Sequence, residues 1–219
     1  MKNCKFYTDR EEKANYLTHF IGLICGMIAC FFLIKRAIDA NDAWAILAYS
    51  IFSFGVLCCM GSSSLYHYIS DPKKKAFLRH FDHGAIYIQI ATSYAPFTLL
   101  LLRNDGFWGW GLFIAVWVAA IIGLIFNCKE LKANDNLKTA SYVLMGMLVV
   151  FAVKPLIDAC IDSNCLNVLY FLALGGFFYV VGAFFYALAK HEFVHAIFHI
   201  FVLLGLGCHI VAAFLIPLA

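Results

Sequence analysis

Three of the eight histidines in this chain are spaced as metal ligands would be. His195 and His199 are four residues apart, which on a helix puts two imidazoles on one face, one turn apart. Ser63 and His67 share the same spacing, so a hydroxyl and an imidazole occupy one face of a second helix. Three neutral histidine nitrogens with an open water position form a catalytic zinc geometry. Zinc lowers the pKa of its water toward ~7 and supplies a nucleophile at neutral pH. In that chemistry Asp82 holds the water and accepts its proton, and Ser63 donates a hydrogen bond to a substrate carbonyl or oxyanion. With Asp82 as a fourth ligand, the same residues would instead form a closed structural site stapling two helices.

A second register overlaps the first. His191-Glu192-Phe193-Val194-His195 reads as H-E-x-x-H, in which two histidines bind zinc and the glutamate is the general base. His191 and Glu192 follow Lys190 in a loop. His195 and His199 fall inside an apolar run, where a polar group without a partner costs more, so burial favours the His195/His199 pair. His209 shares nearly the same helix face as His195. It stands fourteen residues on, about 21 Å at ~1.5 Å per residue, too far to share the ion. His80 and His83 flank Asp82 and read equally well as solvated or functional.

The elements that must position these residues are membrane spans. Of 219 residues, 63% are hydrophobic and 13% charged, and mean hydropathy is +0.84. A soluble domain carries about 25% charged residues, so this surface is built to face lipid. Seven stretches approach the ~20 apolar residues that cross a hydrocarbon core. They are Tyr16–Ile34, Trp44–Tyr66, Gly84–Leu102, Phe107–Phe126, Thr139–Ile157, Val168–Ala189 and Phe193–Leu218. The first is longer than a signal-peptide core and lacks a small-residue cleavage pattern, so it reads as retained. The connections are short, and the expected architecture is all-α: one seven-helix membrane domain over residues 1–219. No nucleic-acid partner is expected.

Five cysteines (Cys25, Cys30, Cys58, Cys59 and Cys208) lie within apolar spans and read as small hydrophobes. Cys160 and Cys165 share one loop and would be free to pair in an oxidising compartment.

Orientation follows the basic residues. Twelve Lys and Arg fall on the N-terminal side: Lys2, Lys5, Arg10, Lys13, Lys73, Lys74, Lys75, Arg79, Lys129, Lys132, Lys138 and Lys190. Four (Lys35, Arg36, Arg103 and Lys154) fall on the other, where Lys154, near the end of the fifth span, is expected to snorkel. The expected topology is a cytoplasmic N-terminus and an outside C-terminus, multi-pass in the plasma membrane (the inner membrane of a bacterium). The end of span 2, the start of span 3 and the start of span 7 then meet at one depth. That convergence carries Ser63, His67, Asp82, His195 and His199 to one place, and ionisable groups within spans are functional candidates by default.

At these residues the sequence resembles the hemolysin III branch of the progestin and adipoQ receptor family. The resemblance rests on Glu12-x-x-Asn15-x-x-Thr18-His19, Ser63-Ser64-Leu65-Tyr66-His67, Phe81-Asp82-His83-Gly84 and Ala91-Thr92-Ser93-Tyr94-Ala95-Pro96. It continues through His195-Ala196-Ile197-Phe198-His199 to His209, and so covers nearly the whole chain. It implies a seven-helix fold and a zinc ion on His67, His195 and His199, with Asp82 and Ser63 beside it. The ten-residue interval to His209 selects the His195/His199 register. Ala196 departs from the pattern, in which a polar or acidic residue often stands there. The long N-terminal region of the hormone-receptor branch is lacking, so a hormone-receptor role is not expected. The resemblance implies a zinc-dependent hydrolase acting on an amide or ester of a membrane lipid, as ceramidases do. Its alternatives are a pore-forming, haemolytic protein and a non-catalytic metal-linked regulator of membrane state.

Overall fold

The computed structural model describes residues 7–128, 135–188 and 191–218. Lys2, Lys5, Lys129, Lys132 and Lys190 of the charge count, and Ala189 at the end of the sixth expected span, lie outside the described residues. Seven helical segments among them are long and apolar enough to cross a membrane. The chain is an all-α, multi-pass integral membrane protein.

Helix α1 runs over Asp9–Asp39. Thr8 and Glu11 form a capping box, with Thr8 N–H donating to Glu11 Oε2 at 2.8 Å and Glu11 N–H to Thr8 Oγ1 at 3.3 Å. This start signal adds two turns before the apolar run at Tyr16. The extra turns carry Glu11 and Glu12, which the apolar pattern alone left outside the span. Along α1 the buried positions are Glu11, Asn15, His19, Gly22, Gly26, Cys30, Leu33 and Ala37. Steps of three and four make one stripe, polar at its N-terminal end and small in the middle.

Helix α2 spans Ala43–Tyr68 and opens on Asp42, whose carboxylate accepts from the Trp44 and Ala45 N–H groups. Helix α3 spans Pro72–Ser93, capped by Asp71. It begins twelve residues before the expected Gly84, because Asp71-Pro72 is a strong start signal that polar first turns hide from a hydropathy reading. Asp82 therefore sits inside the helix and not at its head. Past Pro96 the span continues as a π-helical turn, Phe97–Leu101. The α2 and α3 backbones pack closely: a Cβ on Gly55 would lie 1.8 Å from Thr92 Oγ1.

Helix α4 covers Trp108–Cys128. The fifth span is built from α5 (Asp135–Gly146), a 3-10 stretch over Met147–Ala152 and α6 (Val153–Asp162). Pro155 lacks an N–H and crowds the carbonyl four residues back, which accounts for the tightened turn before it. Tyr94 braces the two irregular spans. Its hydroxyl donates to Gly146 O at 2.6 Å and accepts the Val149 N–H at 3.1 Å. Lys154 reaches out and pairs with Asp158. Cys160 and Cys165 are buried free thiols. Helices α7 (Asn167–Leu188) and α8 (Val194–Leu215) close the bundle. α8 packs on α7 and α1, and α1 on α2. Large apolar side chains such as Phe31, Phe151 and Phe184 remain exposed, as a lipid-facing surface requires.

Candidate metal centre

Three helix ends build the site: the head of α1, the tail of α2 and the head of α8. Ligand nitrogens of His67, His195 and His199 all lie within 4.8 Å of one another. His67 and His199 are buried, with His195 partly so. His67 Nε2 and His195 Nε2 face each other at 3.2 Å. The bonds made by the opposite ring nitrogens decide what these faces can do. His67 Nδ1–H donates to Glu12 Oε2 at 2.7 Å, which leaves Nε2 as a lone pair. His199 Nδ1 is 3.1 Å from Thr18 Oγ1 and 3.3 Å from Asn15 O. The Thr18 hydroxyl proton is committed to the Ala14 and Asn15 carbonyls, at 3.0 and 2.9 Å, so its oxygen accepts from His199. His199 Nε2 is then also a lone pair.

This arrangement fits a metal ion. Two nitrogens held ~2.0 Å from one tetrahedral zinc stand about 3.3 Å apart, close to the His67–His195 separation. A carboxylate behind the histidine, as Glu12 stands behind His67, is the usual outer partner of a zinc ligand. Lys75 Nζ in turn binds Glu12 Oε1 at 2.8 Å and the carbonyls of Tyr66 and Ile69. Lys75 therefore ties the last carbonyls of α2 to the α1 glutamate.

Glu11 sets the third wall. Its Oε1 accepts the Phe193 N–H at 3.1 Å, where the backbone turns through φ 61° before α8 begins at Val194. Because the helix starts there, His191 is exposed in the preceding turn, off the stripe that carries His195 and His199. The structure thus groups His195 with His199 and separates both from His191.

A polar cavity of ≈ 20 Å³ opens on this cluster, lined by Tyr7, Tyr66, Arg79, Asp82, His83, Tyr186 and His195. It is large enough for about one water. His195 belongs to both the triad and the cavity wall, and Asp82 faces it across that space. Ser63 is buried behind the wall, with its hydroxyl beside the Asp82 carboxylate. Tyr7 stacks on His195, with ring centroids 5.0 Å apart at 26°. Burial pushes its phenol pKa upward, so the hydroxyl stays protonated. His209 lies elsewhere, its ring against Tyr179 and Phe97. His80 bonds the Ala76 carbonyl on its own helix.

α1 and the residues just before it contribute a set of side chains that metal-ligand spacing does not reveal. Tyr7, Glu11, Glu12, Asn15, Thr18 and His19 all touch or support the cluster. The available signal was a polar stripe at helical spacing running into an apolar span. His19 stacks on His199 with centroids 3.5 Å apart at 12°. Both His19 nitrogens, and both polar atoms of the Asn15 amide, are buried without hydrogen-bond partners among the described residues.

These elements define a seven-span helical membrane protein with a histidine triad competent to hold a metal at one end of the bundle. The chain belongs to the haemolysin-III related family, whose sequence pattern it matches over residues 7–210, and so to the hemolysin III branch of the progestin and adipoQ receptor proteins. It is 40% identical over 199 residues to the Hemolysin-3 homolog of Bacillus subtilis (strain 168), covering 91% of each chain. It is 37% identical over 196 residues to Hemolysin-3 of Bacillus cereus, covering 90% of this chain and 87% of that one. The Monocyte to macrophage differentiation factor of Homo sapiens is 30% identical over 210 residues, covering 91% and 81%.

Proposed function

We propose that this protein is a zinc-dependent hydrolase that cleaves an amide or ester bond of a membrane lipid. The observation that carries this reading is the pairing of the His67/His195/His199 cluster with a water-sized cavity walled by Asp82. His67, His195 and His199 would hold the ion, and Asp82 stays out of that group, which favours an open catalytic site over a closed structural one. A zinc ion bound there supplies a Lewis acid that acidifies water and polarises a carbonyl. Asp82 orients the attacking water and takes its proton. Ser63, beside Asp82, donates to the substrate carbonyl oxygen as negative charge develops on it. Tyr7 covers His195 and limits solvent. The ceramidase-like substrate class, the inner-membrane location and the cytoplasmic N-terminus belong to the same reading, the last supported by the basic asymmetry. Purified protein in bilayers, incubated with a panel of amide- and ester-linked lipids, tests it: release of free fatty acid that needs zinc and Asp82 supports the hydrolase.

A second reading rests on the name of the Bacillus cereus relative, Hemolysin-3. A pore-forming role predicts dye release from liposomes that survives His67→Ala. Leakage of that kind without lipid turnover would replace the enzyme reading.

A further inference from the structure

The corner between α2 and α3 carries an open groove of ≈ 470 Å³ lined by Leu65, Ile69, Lys73, Lys74, Phe77 and Leu78. It lies on the outside of the bundle. Leu65 and Phe77 are 48% and 65% exposed, whereas Ser63 and His67 on the opposite face of α2 are buried. The groove has two chemically distinct parts. Leu65, Ile69, Phe77 and Leu78, with the aliphatic stems of Lys73 and Lys74, form an apolar floor, and the two exposed lysines of the first turn of α3 carry their ammonium groups beyond it.

The two lysines differ from their neighbour. Lys75 is committed to Glu12 and to the carbonyls of Tyr66 and Ile69. Lys73 and Lys74 are exposed, and their ammonium groups have no ion-pair partner among the described residues. The helix N-terminus is not itself the anion site, because the Asp71 carboxylate already caps the Lys74 N–H at 2.8 Å. At this corner the Asp71 carboxylate offsets part of the positive charge, and the Lys73 and Lys74 ammonium groups are the cations left to meet an anion.

We propose that this groove binds an anionic phospholipid, with the phosphate between Lys73 and Lys74 and an acyl chain along Leu65, Ile69, Phe77 and Leu78. Charge complementarity selects the occupant. An apolar groove alone would accept any lipid tail, whereas two unpaired cations above it discriminate by headgroup charge. A zwitterionic lipid brings its own cation and gains less. The corner sits at the end of the bundle that the basic asymmetry assigns to the cytoplasmic leaflet, where anionic lipids attract basic segments. A bound lipid would bridge the end of α2 to the start of α3, the two helices that carry His67 and Asp82. The proposal rests on the membrane fold and on the topology expected from the basic asymmetry, and is independent of hydrolysis.

Native mass spectrometry of the purified protein with equimolar phosphatidylglycerol and phosphatidylcholine tests it. The natural chain should retain phosphatidylglycerol preferentially, and Lys73→Gln/Lys74→Gln should reduce that preference by about 10- to 30-fold. Lys73→Arg/Lys74→Arg should restore it. Lys35→Gln/Lys154→Gln, which removes two cations from the other end, should leave it unchanged. Equal retention of the two lipids by the natural chain, an unchanged preference in the glutamine pair, or an equal loss in the Lys35/Lys154 control would each overturn the proposal. Loss of preference without loss of thermal stability separates a binding defect from misfolding.

Discussion

His67 Nδ1 lies 2.7 Å from Glu12 Oε2, joining residues 55 positions apart on neighbouring helices. The contact fixes the tautomer of the imidazole and aims its other nitrogen into the His67/His195/His199 cluster. Glu12→Gln replaces an anionic acceptor with a neutral amide of the same size. Zinc affinity should fall about 10- to 100-fold, with helical content unchanged. Competition with a fluorescent chelator measures this directly. Unaltered affinity would mean that Glu12 is a structural partner of Lys75 and nothing more.

Purified protein should contain about one zinc per chain. Elemental analysis of His67→Ala and His199→Ala should show loss of most of the metal, and His191→Ala should retain it. Metal loss only in the His191 variant would restore the overlapping H-E-x-x-H register and contradict the assignment.

Asp82→Asn should abolish lipid turnover while keeping most of the zinc if, as proposed, Asp82 acts on water in the cavity and not on the ion. Loss of turnover by at least ~100-fold is the expected scale for removing a general base. If the variant is instead purified without metal, Asp82 is a fourth ligand and the site is structural.

His19 packs face-on against His199, and its two buried nitrogens have no hydrogen-bond partner among the described residues. Each unsatisfied buried polar group costs about 1–3 kcal/mol. His19→Phe keeps the stacked ring and removes the polar atoms. Its melting midpoint in detergent should match or exceed that of the natural chain, by roughly 2–4 °C per kcal/mol recovered. His19→Ala, which removes the ring from behind His199, should lower both the midpoint and zinc affinity. A large drop for His19→Phe would reveal that the nitrogens are satisfied by buried water.

A reporter active only in the cytoplasm, fused after Ala219, should be silent, whereas the same reporter fused before Met1 should be active. The twelve-to-four distribution of Lys and Arg sets this expectation. The opposite pattern would invert the membrane topology.

Hydropathy and residue chemistry were enough to show seven spans and to bring Ser63, His67, Asp82, His195 and His199 toward one end of the bundle. Those are properties that helical periodicity and the ~30 Å hydrocarbon thickness impose on a chain directly. The α1 turns with Glu11 and Glu12, and the early start of α3 at Pro72, were invisible to hydropathy. Polar first turns carry cap signals and not apolar periodicity. The protonated nitrogen on His67 depends on a carboxylate 55 residues away, and that on His199 on a hydroxyl 181 residues away. The backbone turn at Phe193, held by Glu11 from the first helix, keeps His191 off the stripe that carries His195 and His199. The lone-pair direction of an imidazole is set by whatever touches its other nitrogen. In this chain those contacts come from distant helices, so no local spacing could encode them and only packing of α1 against α2 and α8 decided them.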